Sequence, residues 1–484
     1  MHTMRARSKS PRRSSGGARA RKSSPGKVNN RSPGSQYRTN VVHVEELREN
    51  SRPVRYECTS TGIISNPTRI LTSKEAAESY ASISHSEDLA QRPASSAIAA
   101  VVFGWLYKIF LPEGYPRSVS SDYLPYQIWD TIQAFCSTVT GILASKSALA
   151  GLGVGNVEAR VGAALYFAIV KRNIGKVSRI AFTTLKGSDL DNNAKTWRVV
   201  ADVLNDLASA LELLAPWLCV AGSDCSEQWH YSLLVIAAEV FRSVVGVAGG
   251  ASRAALTQHF AVKDNFGDVN AKDGSQEMFV EIVGSFVGLQ LSHMEGKGSV
   301  FAFALFTLFH IAANVQACRA VALLTLNRQR AHILCSHFLL NRAVRTPAQV
   351  AAEESVAYFG GSGVRGTRIC MGATLPAIAA ACDVPSTIRK SARANYLVGE
   401  TTTSGALSMR REILVGFHVD ATSEDFLRGY MHAFMLAKGG FSTEQVVRKV
   451  DQLLDILPAH GWRLDAAHVG PGTTRLSWDQ DQAV

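Results

Sequence analysis

From about Ala97 to Asn341 apolar residues recur at three- and four-residue spacing, segment after segment. That is the period of a helix face, and no alternation of strand and helix interrupts it. The spacing predicts helices at about 97–110, 123–150, 157–184, 192–215, 229–262, 274–294 and 299–341. Asp122 and Ser188 or Asp189 stand where N-caps belong. The expected fold is mainly α: a multi-helix bundle, with membrane embedding as an open reading, followed by a small α+β C-terminal domain.

That second domain is expected at 395–484, after a linker with helical pieces at 345–394. Tyr396 to Val419 reads as two strands joined by a turn near Ser404-Gly405. Two amphipathic helices follow, opened by Thr422 and by Ser442; Ser442 with Gln445 fits the capping box. A final pair of short strands is expected through Trp462–Leu464 and Arg475–Trp478.

Charge is unevenly placed. Of 51 Lys and Arg, eleven lie in residues 1–44, which hold no acid; the rest balance the 40 Asp and Glu. This Ser-, Arg- and Pro-rich tail has little to bury and is expected to be disordered. Three readings stay open for it: a solvated tail, an import presequence, or an electrostatic tether to nucleic acid or anionic lipid. Nucleic acid is otherwise an unlikely partner, because the body is formally neutral. Residues 45–95 read as a poorly structured adaptor with one short helix near Ser73–Tyr80. Eight scattered cysteines without a C-x-x-C favour free thiols and no zinc site.

Only Gly298–Cys318 offers about twenty residues without a charge, and it carries His310, Asn314 and Gln316. A buried bundle helix and a membrane span both fit it. Gly246, Gly250 and Ala254 fall at four-residue spacing, which permits close helix packing.

The candidate functional groups gather in a few places. Arg253, Gln258 and His259 sit near the end of the glycine-rich helix. Beside a bare backbone, Arg253 could take a small anion, or it could pair with Glu239 or Glu277. Lys272, Asp273, Gln276 and Glu277 follow on a polar loop, with Asp273 or Ser275 capping the next helix. Asp189 and Asp191 lie on a second polar stretch, as a weak cation grip or simply as acids at a helix start. Asp202 and Asp206 share a helix face, with Lys195 or Arg198 at pairing distance. Asn327 to Arg330 are placed at the end of the longest helix. Gly151-x-Gly153-x-Gly155 lacks the third glycine and the preceding strand of a dinucleotide loop, and reads as a helix stop. No nucleophile, metal cluster or cofactor loop can be placed, so no cofactor, metal or catalytic residue is assigned.

Three stretches together carry a resemblance: Ser243–Glu277, Lys186–Trp197 and Leu111–Asp130. They resemble the root UVB sensitive family over roughly 97–345, with a looser likeness over 395–484. The resemblance implies a link to seedling light response and vitamin B6 homeostasis, and pairing with a homologous or identical chain. Vitamin B6 chemistry would call on a Schiff-base lysine, such as Lys272 or Lys186, yet no α/β core is there to hold pyridoxal phosphate.

The leading expectation is a non-enzymatic, membrane-associated protein, intracellular and conceivably mitochondrial, whose polar loops bind a partner or small ligand. The rivals are a helical small-molecule carrier, built from two sets of three helices, and an enzyme of unknown reaction.

Overall fold

The computed structural model describes residues 42–46, 54–59, 62–63, 105–151, 161–219, 228–357, 364, 366–382, 395–404 and 409–478. The chain divides into two compact units, Met1–Gln91 and Arg92–Val484. The described part of the first is a three-stranded antiparallel sheet: β1 (Val42–Glu46), β2 (Val54–Thr59) and β3 (Gly62–Ile63). Strands therefore stand where a structureless adaptor is expected. The helix expected near Ser73–Tyr80 lies outside the described residues, as does almost all of the basic tail.

The second unit opens with a helical stretch at residues 105–110 and a connector that includes a cis Tyr115–Pro116 bond. Six long helices follow: α1 (Tyr123–Gly151), α2 (Val161–Leu190), α3 (Ala194–Cys219), α4 (Gln228–Phe260), α5 (Phe266–Leu291) and α6 (Lys297–Ala320). Helix α1 packs against α3, α5 and α6, while α4 lies between α2 and α3. Tyr123 and Tyr126 at the start of α1 meet Phe260 at the end of α4, with ring centroids 5.6 and 5.0 Å apart. The tyrosines of the connector are thus packing anchors.

Three local expectations are corrected here. Helix α2 runs on to Leu190, and a 3-10 turn at Asp191–Asn193 leads into α3. Asp189 therefore lies in a last turn and caps nothing; it pairs with Lys186 at 3.3 Å. Helix α5 begins at Phe266, with Asn265 as its cap residue. Asp273 and Ser275 are helix interior, and the polar loop is two turns of helix. The long helix expected at 299–341 is broken after Ala320: β4 (Thr325–Asn327) intervenes before α7 (Arg328–Asn341). Asn327 caps α7, accepting from the Arg330 N–H at 2.9 Å, so these residues open a helix rather than close one.

The remaining chain builds a three-stranded sheet flanked by helices. Its order is β5 (Thr367–Met371), β7 (Met409–Phe417), β6 (Tyr396–Ser404), with β5 parallel and β6 antiparallel to β7. Strand β5 and the capped helix α8 (Pro347–Glu353) come from the stretch expected to be a linker. Helix α9 (Leu375–Ala381) lies on one side of the sheet, through Ile378 against Leu397 and Leu414. Helices α10 (Ser423–Lys438) and α11 (Thr443–Ile456) carry the main core, around Phe417, Leu427, Phe434 and Leu453. Both open with a capping box, Thr422 with Asp425 and Ser442 with Gln445. Of the two final strands expected, the first is seen, running longer as β8 (Arg463–His468), and the second is reduced to one bridge, Leu476 to His418; the two do not pair with each other. Instead β8 pairs in parallel with β4.

Candidate functional site

The end of α4 meets the middle of α5 through charge. Arg253 donates from Nε to Asp273 Oδ2 at 2.7 Å, and its Nη1 lies 2.5 Å from Glu277 Oε2. Asp273 and Glu277 are one helical turn apart, which sets both carboxylates facing the same guanidinium. Gln127 of α1 donates to the second oxygen of Asp273 at 3.0 Å. Arg253 is therefore fully engaged by acids, in the pairing with Glu277 that the sequence left open.

The other predicted groups hold the frame. His259 Nε2 lies 2.8 Å from Asp122 Oδ2, which also accepts from the Ala322 N–H at 2.7 Å. Burial works against the Asp122 charge, but His259, Ser120 and the Ala322 amide outweigh it and hold the carboxyl below its ordinary value. Lys272 donates to the Lys108 carbonyl, and Gln276 to the Phe110 carbonyl at 2.5 Å, so both fasten α5 to residues 105–110. Gln258 is exposed. No contact among the described residues joins Asp189 or Asp191 to this group; both are exposed.

The glycine stripe does not mark the tightest helix contact. A methyl at Gly246 would meet only the flexible Arg179 guanidinium, one at Gly250 would meet nothing, and Ala254 is exposed. The close approach lies on α5, where Gly284 and Gly288 face α1: a Cβ would stand 3.0 Å from Thr138 Cβ and 2.8 Å from Ile142 Cδ1, respectively.

A larger polar assembly, of which only fragments were legible in the sequence, runs through the bundle interior. Arg198 of α3 reaches Asp130 at 2.7 Å, with Asp202 at 3.8 Å. Asp202 Oδ2 accepts from Gln133 at 3.1 Å and Asn314 at 2.6 Å. His310, wholly buried, contacts Gln133 at 2.9 Å and Asp206 at 2.7 Å. The signal available was the set of polar residues at inward positions of apolar helices: Asp202 and Asp206 on α3, His310 and Asn314 on α6.

Beside this assembly a cleft of about 460 Å³ opens between α1, α3, α4 and α5. Gln133, Arg198, Asp202 and Asn205 line one part, and Glu277, Glu281 and Ser285 another. Its size falls in the range of small-molecule sites. Of the predicted site residues only Glu277 reaches it. No group of three or more His, Cys, Asp or Glu among the described residues could hold a metal ion.

Residues 98–342, the helical bundle and its connection to the C-terminal layer, match the family described as vitamin B6 photo-protection and homoeostasis domain. Protein root UVB sensitive 3 of Arabidopsis thaliana is 32% identical over 390 residues, covering 76% of this chain and 85% of that protein. This chain belongs to the root UVB sensitive family. Within it, RUS family member 1 of Dictyostelium discoideum is 39% identical over 259 residues, 52% of this chain and about half (48%) of that relative. Protein root UVB sensitive 2, chloroplastic, of Arabidopsis thaliana is 27% identical over 389 residues, 76% of this chain and 84% of that protein. No solved structure matches the chain. In this member of the family the arrangement joins α4 to α5 by ion pairs, buries a hydrogen-bonded polar assembly, and leaves a polar cleft beside it.

Proposed function

We propose that this root UVB sensitive protein is a membrane-associated, non-enzymatic binding protein, acting in vitamin B6-related homeostasis by holding a small polar ligand in the cleft among α1, α3, α4 and α5. The carrying observation is the inverted polarity of the bundle. On α6, Phe301 and Leu308 are 69% and 66% exposed, while His310 and Asn314 are 0% and 2% exposed. Helix α5 repeats the pattern, with Ile282 and Phe286 outward and Asp273 buried. Large apolar groups outside and polar groups inside suit a bundle whose outer solvent is lipid. By length and composition the stretches His230–Phe260 and Lys297–Ala320 are sufficient to cross a bilayer.

Binding is a better fit to the cleft than catalysis. Its inner acid, Asp202, is held by Gln133 and Asn314, and Arg198 is held by Asp130. Groups fixed in this way orient a ligand and are poor proton carriers. The test is mass spectrometry of small molecules that remain with the full chain after gentle extraction and purification. A compound retained by the wild type and lost from Asn205→Ala and Ser285→Leu variants supports the reading. Retention unchanged in both variants contradicts it.

A further inference from the structure

We infer that the cleft selects a small organic cation, a molecule carrying a protonated amine, rather than an anion or a metal ion. This deepens the reading above and rests on it. Charge favours a cation. Arg198 is the one basic residue among the lining groups, against Asp202, Glu277 and Glu281. Arg198 in the lining and Arg253 beside it do not offset these acids, because each is shared by two carboxylates. Arg198 serves Asp130 and Asp202, and Arg253 serves Asp273 and Glu277. Glu281 makes no ion pair among the described residues. The neighbourhood therefore holds an excess of carboxylate that an anion would raise and a cation would relieve.

A second observation points to a ligand. Asp202 is 9% exposed and lines the cleft. Its contacts with Gln133, Asn314 and Arg198 all fall on Oδ2. Among the described residues no hydrogen bond falls on Oδ1, and Asp202 lines the cleft. The carboxylate's side chain is 12% exposed, and its second oxygen is open to a further donor. An ammonium group completes it with a charge-assisted hydrogen bond.

The form of the cleft separates an organic cation from a metal ion. The carboxylates are spread around the walls rather than converging, and no metal-holding group occurs among the described residues. Between them stand the hydroxyls of Ser137, Thr138 and Ser285 and the amide of Asn205. Such a lining fits the polar substituents of a molecule several atoms across.

The experiment uses three compounds that share one ring and differ in charge: pyridoxamine with its ammonium, pyridoxine with none, and pyridoxine 5′-phosphate with its phosphate. Their binding to the full chain in detergent is measured by equilibrium dialysis at neutral pH. Pyridoxamine is expected to bind at least about tenfold more tightly than the other two. Glu281→Gln, on the exposed side of α5, is expected to weaken it by about tenfold while the thermal melt stays in place. Asp202→Asn is expected to abolish the preference for pyridoxamine. Equal or tighter binding of the neutral or phosphorylated compound overturns the charge inference and leaves the cleft reading standing. Pyridoxamine binding unchanged in both variants also overturns it. Failure of all three to bind overturns the inference and counts against the reading beneath it.

Discussion

The side-chain amide of Gln133 donates to Nε2 of His310, and this contact fixes which ring nitrogen carries the proton. The amide orientation is set by its other neighbours: Nε2 faces the Asp202 carboxylate at 3.1 Å, and Oε1 accepts from Arg198 at 3.3 Å. With Gln133 as donor at 2.9 Å, His310 Nε2 must accept. The proton then sits on Nδ1 and points at Asp206, 2.7 Å away. Nitrogen chemical shifts of labelled His310 are expected to report the Nδ1–H form. Gln133→Ala leaves Asp202 and His310 each short of a donor and is expected to cost about 1–3 kcal/mol of stability, read by thermal or denaturant unfolding.

Glu354 ties the helical bundle to the C-terminal layer. It accepts from Lys195 of α3 at 2.7 Å and from Arg330 of α7 at 2.9 Å, and all three side chains are 3–4% exposed. Burial opposes its charge, but the two cations outweigh that and hold its carboxyl below the ordinary value. Glu354→Ala strands two buried cations and is expected to cost about 3–5 kcal/mol. Glu354→Gln should lie between the variant and the wild type.

Acid should loosen the C-terminal domain through His432. Burial lowers its pKa from 6.5 to about 4, with the ring against the Tyr396 hydroxyl at 3.0 Å. Between these values the unfolded chain binds the proton that the folded chain refuses, so stability rises with pH across that window. It is lost as pH falls from 6.5 toward 4. Glu354 acts in the same direction at lower pH, because a lowered carboxyl pKa gives stability that protonation removes. Melting temperatures measured from pH 7 to 4 should fall less steeply in His432→Gln.

Crowding of α5 against α1 predicts a contrast between glycines. Gly284→Leu must displace Thr138 and the Phe135 carbonyl and is expected to cost about 1–3 kcal/mol. Gly250→Ala has open space and gains helix propensity, so a neutral or slightly stabilising result, up to about 1 kcal/mol, is expected. Paired unfolding curves of the two variants check both.

The legible parts were those that local physics decides. The period of α1, the hairpin of β6 and β7, and the Ser442–Gln445 cap are set by residues near in sequence, and each is seen where expected. The parts missed depend on distant partners. Asp268, Lys272 and Asp273 make the start of α5 look like a loop, yet the Glu113 N–H, the Lys108 carbonyl, and Arg253 with Gln127 satisfy them in turn as helix. Val321–Leu326 looks like more apolar helix, and only β8, well over a hundred residues later, makes a strand of Thr325–Asn327. In the same way Arg253 stood out in the sequence because of its glycine neighbours, whereas the cleft depends on four helices meeting around Asp202. No window of sequence contains that meeting.

Under the proposed function, apolar faces such as Phe301, Leu308 and Phe286 meet lipid. The most direct measurement is alkaline carbonate extraction of membranes from cells making the full chain, followed by detection of the protein in pellet and supernatant. The protein is expected to stay in the pellet and to be released only by detergent. Release into the carbonate supernatant would contradict it and return the bundle to a soluble protein whose apolar faces meet other proteins.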